Sequence, residues 1–110
     1  MKVLLLMYQD ERAMQKMSRE DFGRIYGAFQ AYVEALNKAG VLLGNHGLQP
    51  TAQAKSVRKD AVLDGPFAET KEQLAGYFLL EVPDMEAALG WAKRVPTAQW
   101  GTVEVRPVWT

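Results

Sequence analysis

The stretch "KVLLLMY" (residues 2–8) is apolar or aromatic at every position after its first residue. "YFLLEV" (residues 77–82) has the same character over most of its length. A strand with one solvated face alternates apolar and polar side chains, whereas a strand that is covered on both faces does not. The two stretches are therefore predicted to be central strands of a sheet, covered on both faces.

Two amphipathic helices are predicted beside these strands. Residues 18–40 repeat apolar residues at three- and four-residue steps, with Ser18 as the cap of the first turn and Gly40 as the left-handed residue that ends the helix. That apolar stripe consists of Phe22, Ile25, Tyr26, Phe29, Val33 and Leu36. Residues 83–96 form the second helix, with Asp84 as its cap. Its buried stripe is predicted to be Met85, Ala88, Leu89 and Ala92.

Shorter strand candidates occupy residues 41–48, 55–58, 61–64 and 102–109. Lys59 and Asp60 are predicted to form the tight turn of a hairpin between the second and third of these strands. Pro107 cannot donate a hydrogen bond to a ladder, so the last strand belongs at a sheet edge. The order of elements predicts an α+β fold, ferredoxin-like βαββαβ with an extra hairpin.

The number of helices limits how much of the sheet one chain can cover. Two helices shield only one face of a sheet with four or more strands. The central strands nevertheless carry apolar side chains on both faces, as the neighbouring Leu4 and Leu5 illustrate. We therefore predict a homodimer in which two sheets pack face to face and close a partial barrel.

Bulk composition narrows the class of protein. The 110 residues correspond to a single domain, residues 1–110. The 13 basic and 13 acidic side chains cancel, which argues against nucleic acid as a partner. The absence of cysteine excludes disulfides and thiolate sites and fits the cytoplasm, and the N-terminal apolar run is too short for a membrane span. One histidine and scattered acids give no metal-ligand spacing, and no cofactor is expected.

The segment "LDGPFAETKEQLAGY" (63–77) carries unusually dense turn chemistry. One interpretation is structural: Asp64 bonds its own backbone, Gly65 takes positive φ, Pro66 extends the exit and Phe67 anchors the loop in the core. The other interpretation is a binding site at this loop. The residue types alone leave both open.

Several segments together resemble the YCII-related family, and more closely its DGPF-domain branch: "MKVLLLMY", "AGVLLGNHGLQP" (39–50), "LDGPFAETKEQLAGYFLLEV" (63–82), "AALGWAKRVP" (87–96) and "GTVEVRPVW" (101–109). The resemblance covers essentially the whole chain. It implies a ferredoxin-like fold and a dimer of the α/β-barrel type. The wider family includes a dehalogenase that acts on a chlorinated muconolactone. Members of the branch are often encoded beside extracytoplasmic-function sigma factors, which implies such a factor as a partner.

One departure from the family pattern bears on activity. Other YCII-related proteins are proposed to use a histidine on the first helix, paired with an aspartate, as an acid–base dyad. Aligned by distance from Gly40, that position is Phe29 here, and the long helix contains no histidine. The dyad therefore does not transfer to this chain.

Two residues are candidate catalytic groups. His46 is the only histidine, and it could act as a general base that Asp64 orients. Asp64, if its strand ends beside residues 77–82, would crowd one sheet edge with Glu69 and Lys71 and serve as acid or base. The alternatives are a loop histidine bonded to backbone and an aspartate that caps its own turn.

Further side chains are candidates for binding a ligand. Tyr8, Phe67 and Tyr77 are predicted to line a pocket, although aromatic residues at strand positions are more often core or dimer contacts. Glu69 and Lys71 would add polar contacts, and Arg106 would hold an anion. The resulting hypothesis is a small-molecule-binding protein, with cofactor-free acid–base chemistry of the lyase or isomerase kind on a small organic acid or lactone. The alternatives are a non-enzymatic regulatory or interaction dimer and a purely structural domain.

Overall fold

A computed structural model describes residues 1–109. In chain order the elements are β1 (Lys2–Gln9), α1 (Glu11–Gln15), α2 (Arg19–Ala39), β2 (Leu42–Gly47), β3 (Lys55–Arg58), β4 (Ala61–Asp64), β5 (Gln73–Glu81), α3 (Met85–Arg94) and β6 (Thr102–Pro107). Short 3₁₀ helices lie at Thr51–Gln53 and Pro96–Gln99. The main sheet is antiparallel with the order β2-β5-β1-β6, and β3 and β4 form a separate two-stranded sheet. The predicted ferredoxin-like α+β fold is confirmed.

Both strands that were predicted to be central lie in the middle of the main sheet. β1 pairs with β5 on one side and with β6 on the other. The side chains of Val3 and Leu5 are fully buried beneath the helices. Pro107 is the last residue of the edge strand β6, where a missing donor costs least. The unbroken apolar patterns therefore located the core of the sheet correctly.

Local capping signals fix the ends of the long helices. The Ser18 hydroxyl accepts a hydrogen bond from the Asp21 N–H at 3.1 Å, and the Asp84 carboxylate accepts from Ala87 N–H at 2.9 Å. Gly40 ends α2 with φ of 72°, in the left-handed region. The predicted caps are confirmed. The short helix α1 was not predicted, because five residues give no apolar periodicity.

The core lies between the sheet and the helices α2 and α3. Tyr32 of α2 donates a hydrogen bond from its hydroxyl to the Trp91 carbonyl at 2.9 Å and meets the Phe78 ring edge-on, with ring centroids 5.1 Å apart. Burial raises the pKa of the Tyr32 phenol. In α3, Ala88 and Ala92 are buried as predicted. Leu89, predicted to be buried, is exposed instead, because α3 turns only a narrow stripe toward the sheet.

The extra hairpin stands apart from the main sheet. β3 and β4 pair from Lys55 opposite Asp64 to Arg58 opposite Ala61, with the predicted turn between them. At the base of the hairpin, the Gly65 N–H donates to the Ala54 carbonyl at 2.8 Å. The expectation that strand 61–64 ends beside the strand of residues 77–82 is wrong, because β4 pairs only with β3 among the described strands.

Residues 1–109 of one chain leave the face of the main sheet opposite the helices without cover. This face carries the half-buried side chains of Leu4, Leu6, Tyr8, Tyr77 and Leu79, which alternate with the buried ones along β1 and β5. We call this surface the open face. It is the uncovered apolar surface that the strand pattern anticipated, and a second copy on it stays a prediction. Within residues 1–109, no helix combines the length and apolar character needed to cross a bilayer.

Candidate functional site

An open cleft of about 740 Å³ lies between α2 and the part of the sheet formed by β2 and β5. Its walls are mainly apolar and include Met7, Phe22, Ile25, Phe29, Val33 and Phe78. Gly47 borders the cleft from β2, and a Cβ atom at this position would meet nothing within 4 Å. The sheet therefore leaves this part of the cleft unfilled.

The apolar stripe of α2 is therefore only partly buried. Leu36, near the C-terminal end of the helix, has no exposed surface. Phe22 and Tyr26, nearer the other end, are each 60% exposed and border the cleft. The sequence predicted one apolar stripe along the helix, and the structure buries only part of it. The difference arises because the helix packs against the sheet along its C-terminal half and overhangs the cleft with the remainder.

Polar side chains, one of them a carboxylate, complete the lining. Gln30, Glu34 and Asn37 border the cleft from α2, where steps of four and three residues place them along one side of the helix. Asn45 borders it from β2, opposite the buried Phe78. Sequence reasoning missed these residues. The signal was present in the polar positions that flank the apolar stripe of α2, which resembled an ordinary solvated face.

Thr97 also borders the cleft, from the 3₁₀ helix that follows α3. The residue is fully buried, and its hydroxyl oxygen has no hydrogen-bond partner within residues 1–109. A buried hydroxyl without a partner destabilises the fold, because it has lost its hydrogen bonds to water. The Thr97 hydroxyl is therefore a polar group without a hydrogen-bond partner beside an apolar cavity.

We expect Thr97→Val to raise the free energy of unfolding by about 1 kcal/mol, because valine keeps the shape and removes the unpaired hydroxyl. Thr51→Val is the matched control. The Thr51 hydroxyl donates to the Glu11 carboxylate at 2.8 Å, so this variant should lose about 1 kcal/mol. Chemical denaturation of both variants measures the difference. A loss of stability in Thr97→Val equal to that in Thr51→Val would contradict the assignment.

His46 and Tyr77 lie together, as neighbours on paired strands. They oppose each other in the register of β2 and β5, and their ring centroids are 5.9 Å apart. Both residues border the cleft along the strands. Alternation along β5 nevertheless turns Tyr77, and His46 with it, toward the open face, since Phe78 points toward the helices.

Two other candidate residues belong to the open face. Tyr8 lies on the same side of β1 as Leu6, and Arg106 opposes Leu4 in the pairing of β1 with β6. The Arg106 guanidinium forms an ion pair with the Glu104 carboxylate. Neither residue borders the cleft among residues 1–109. The structure thus gathers Tyr8, His46, Tyr77 and Arg106 on one surface.

The residues of the DGPF segment lie elsewhere, on the separate hairpin and the loop after it. The Asp64 side chain is 87% exposed and pairs with the Lys55 ammonium across the two strands. Gly65 adopts φ of 95°, as the structural interpretation of the turn predicted. Phe67 is 81% exposed, so its expected anchoring in the core is wrong. Glu69 and Lys71 are also exposed. The structure does not place Asp64 on the sheet that carries His46.

Phe29, which the resemblance aligns with the family's proposed helical histidine, borders the cleft and packs against the core. At this position the wall of the cleft carries an aromatic ring, which has no titratable group.

Together, the fold and the cleft define a ferredoxin-like α+β protein with a ligand-sized space beneath its first long helix. The chain belongs to the YCII-related domain family, whose model matches residues 1–110. It is 36% identical over 110 residues to an uncharacterized protein of Rhizobium meliloti (strain 1021), covering 94% of this chain and 89% of that relative. The predicted family is confirmed, and the finer assignment to the DGPF-domain branch stays a prediction.

Proposed function

We propose that this YCII-related protein binds a small organic molecule in the cleft between α2 and the sheet. The cleft itself carries the proposal, because its 740 Å³ falls within the roughly 300–1,000 Å³ typical of ligand sites. Apolar walls with a few polar groups are also typical of such sites. Phe22 and Tyr26, exposed at the cleft, are large apolar side chains that a ligand would shield from water.

The geometry supports binding better than turnover. Acid–base chemistry on an organic acid or lactone would need a proton carrier within hydrogen-bond reach of the ligand. Strand alternation turns the His46 ring toward the open face, and Asp64 is on the separate hairpin. The resemblance aligns Phe29 with the family's proposed histidine, and a phenyl ring carries no proton. We therefore propose a binding protein, in which His46 and Asp64 carry no proton to or from the ligand.

The cleft can be tested by blocking it. Gln30 is exposed and borders the cleft, so we expect Gln30→Trp to fill part of the space and weaken binding of 2-naphthol by at least about tenfold. Gln49→Trp is the control, since Gln49 is exposed and lies outside the lining. Equilibrium dialysis measures both. The proposal fails if the wild-type protein does not bind the probe or if the two variants bind it equally.

A second candidate function, an interaction dimer, is supported by the amount of exposed surface. The chain exposes 7976 Å², whereas a compact monomer of 12.3 kDa exposes roughly 6,100 Å². The excess, about 1,900 Å², is of the order that one subunit buries in an obligate homodimer. The radius of gyration of 15.2 Å likewise exceeds the roughly 13 Å of a compact domain of this length.

Residues 55–67, which we call the arm, carry large apolar side chains that are exposed in one chain. Val57 and Val62 oppose each other across the arm and are 74% and 68% exposed. An isolated two-stranded hairpin is marginal in water, so a partner that covers its apolar side chains would stabilise it. We propose a second copy of this chain as that partner, with open faces apposed and each arm on the other subunit. A link to a sigma factor rests on the family resemblance alone.

The double variant Val57→Thr and Val62→Thr tests the arm, because threonine keeps the β-branched shape and removes apolar surface. We expect the wild-type protein to sediment as a dimer at micromolar concentration. The dimer dissociation constant of the double variant should be at least about tenfold higher. Lys59→Ser, in the turn of the same arm, is the control and should leave the dimer intact. A monomeric wild-type protein in analytical ultracentrifugation would refute this candidate.

A further inference from the structure

The cleft differs from the rest of the molecule in its charged groups. The chain has 13 basic side chains, yet the residues that line the cleft, all within 1–109, include no lysine or arginine and a single carboxylate, Glu34. The remaining polar lining groups are mainly amides and hydroxyls, together with the imidazole of His46, whose side chain turns toward the open face. The cleft therefore has no lysine or arginine to balance a negatively charged ligand.

Arg106, which the sequence suggested as an anion-binding residue, and two of the chain's lysines lie on surfaces other than the cleft. Arg106 is on the open face, where its guanidinium already pairs with Glu104. Lys55 pairs with Asp64 on the arm, and Lys71 lies in the exposed loop after it. An anion in the cleft would give up water without gaining a counter-charge, and it would sit near the Glu34 carboxylate.

The amides are suited to a different kind of ligand. Asn45 is half-buried and faces α2, since it opposes the buried Phe78. A carboxamide donates and accepts, so it bonds neutral hydroxyl, carbonyl and ester groups without needing charge. Gln30 and Asn37 bring the same chemistry from the helix.

We infer that the ligand of the cleft is uncharged: a largely apolar ring or chain whose hydroxyl, carbonyl or ester groups meet the amides. This inference rests on the proposed binding function and specifies its ligand. Between the two substrate classes considered from the sequence, it selects a neutral lactone over an organic acid.

Three probes that share one ring system test the charge preference. At neutral pH 2-naphthol is uncharged, 2-naphthoate is an anion and 2-naphthylmethylammonium is a cation. We expect equilibrium dialysis to give 2-naphthol an affinity at least about tenfold above that of either ion, because burial of an unpaired charge is costly. Tighter or equal binding of 2-naphthoate would overturn the inference. Tightest binding of the cation would overturn it as well, in favour of a site organised around Glu34.

A positive charge added to the cleft should reduce the discrimination against the anion. Gln30→Arg is expected to raise the affinity for 2-naphthoate relative to that for 2-naphthol by about tenfold, whereas Gln49→Arg adds the same charge outside the cleft and should leave this ratio unchanged. Equal gains in both variants would contradict a site in the cleft. If none of the probes binds the wild-type protein, the proposed function fails together with this inference. If they bind without the expected preference, only this inference fails.

Discussion

Replacing Gly101 with alanine should lower the free energy of unfolding by about 3 kcal/mol, because the new methyl group would overlap the backbone of β1. A Cβ atom at this position would collide with the carbonyl oxygen of Tyr8. It would also lie 3.2 Å from Thr97 Cγ2 and 3.3 Å from Gln9 Cα. Backbone atoms cannot move aside as a flexible side chain can, so the segment before β6 would have to shift.

Gly27→Ala is the matched control for this prediction. Gly27 lies inside α2, and a Cβ atom there would meet nothing within 4 Å. Alanine should therefore add about 1 kcal/mol through its higher helix propensity. Urea denaturation of both variants measures the two changes in the free energy of unfolding, which should have opposite signs. Equal stability of Gly101→Ala and the wild-type protein would show that β6 does not approach β1 as closely as described.

Leu80→Ala is expected to cost about 3 kcal/mol at any protein concentration, since Leu80 is fully buried between the sheet and the helices. Its partners in the register are Val3 and Leu42, one on each neighbouring strand. Removal of the side chain leaves a cavity that these strands cannot close without breaking the ladder.

The adjacent Leu79 provides the contrast, because it has the same side chain on the open face. If two copies pack there, Leu79→Ala weakens the dimer, and its thermal midpoint falls mainly at low protein concentration. Thermal denaturation of both variants over a hundredfold dilution series separates the effects. A midpoint for Leu79→Ala that does not change with concentration relative to the wild-type protein would argue against a second copy on this face.

The sequence predicted most of the main sheet and both long helices because their signals are local. Ser18, Gly40 and Asp84 fix helix ends through hydrogen bonds within one or two turns. The unbroken apolar run of β1 identified a central strand for the same reason: every residue in it contacts protein on at least one side. The short helix α1 was not predicted because it buries none of its residues and part of its cap comes from Gln73, which is distant in the chain and accepts from the Glu11 N–H.

The candidate site was harder to predict because it depends on which residues meet. His46 was considered as a base that Asp64 could orient, with their adjacency left open; register sets His46 against Tyr77, and Asp64 lies on the arm. A shift of one residue in that register would turn the His46 ring into the cleft. The spacing of residues in the sequence does not say which face of the sheet a strand residue such as His46 occupies. The amides of α2 were equally invisible, since only the cleft distinguishes them from solvated polar residues.

By itself, the sequence determined the class of fold, the central position of β1 and β5, the helix ends and the hairpin turn, because short-range patterning and capping decide each of these. Only the tertiary structure decided that the hairpin forms a separate arm and that a cleft opens beneath α2. It alone also decided which face of the sheet each candidate side chain occupies. These features arise from strand register and from the way α2 overhangs the sheet, and both depend on contacts between residues distant in the chain.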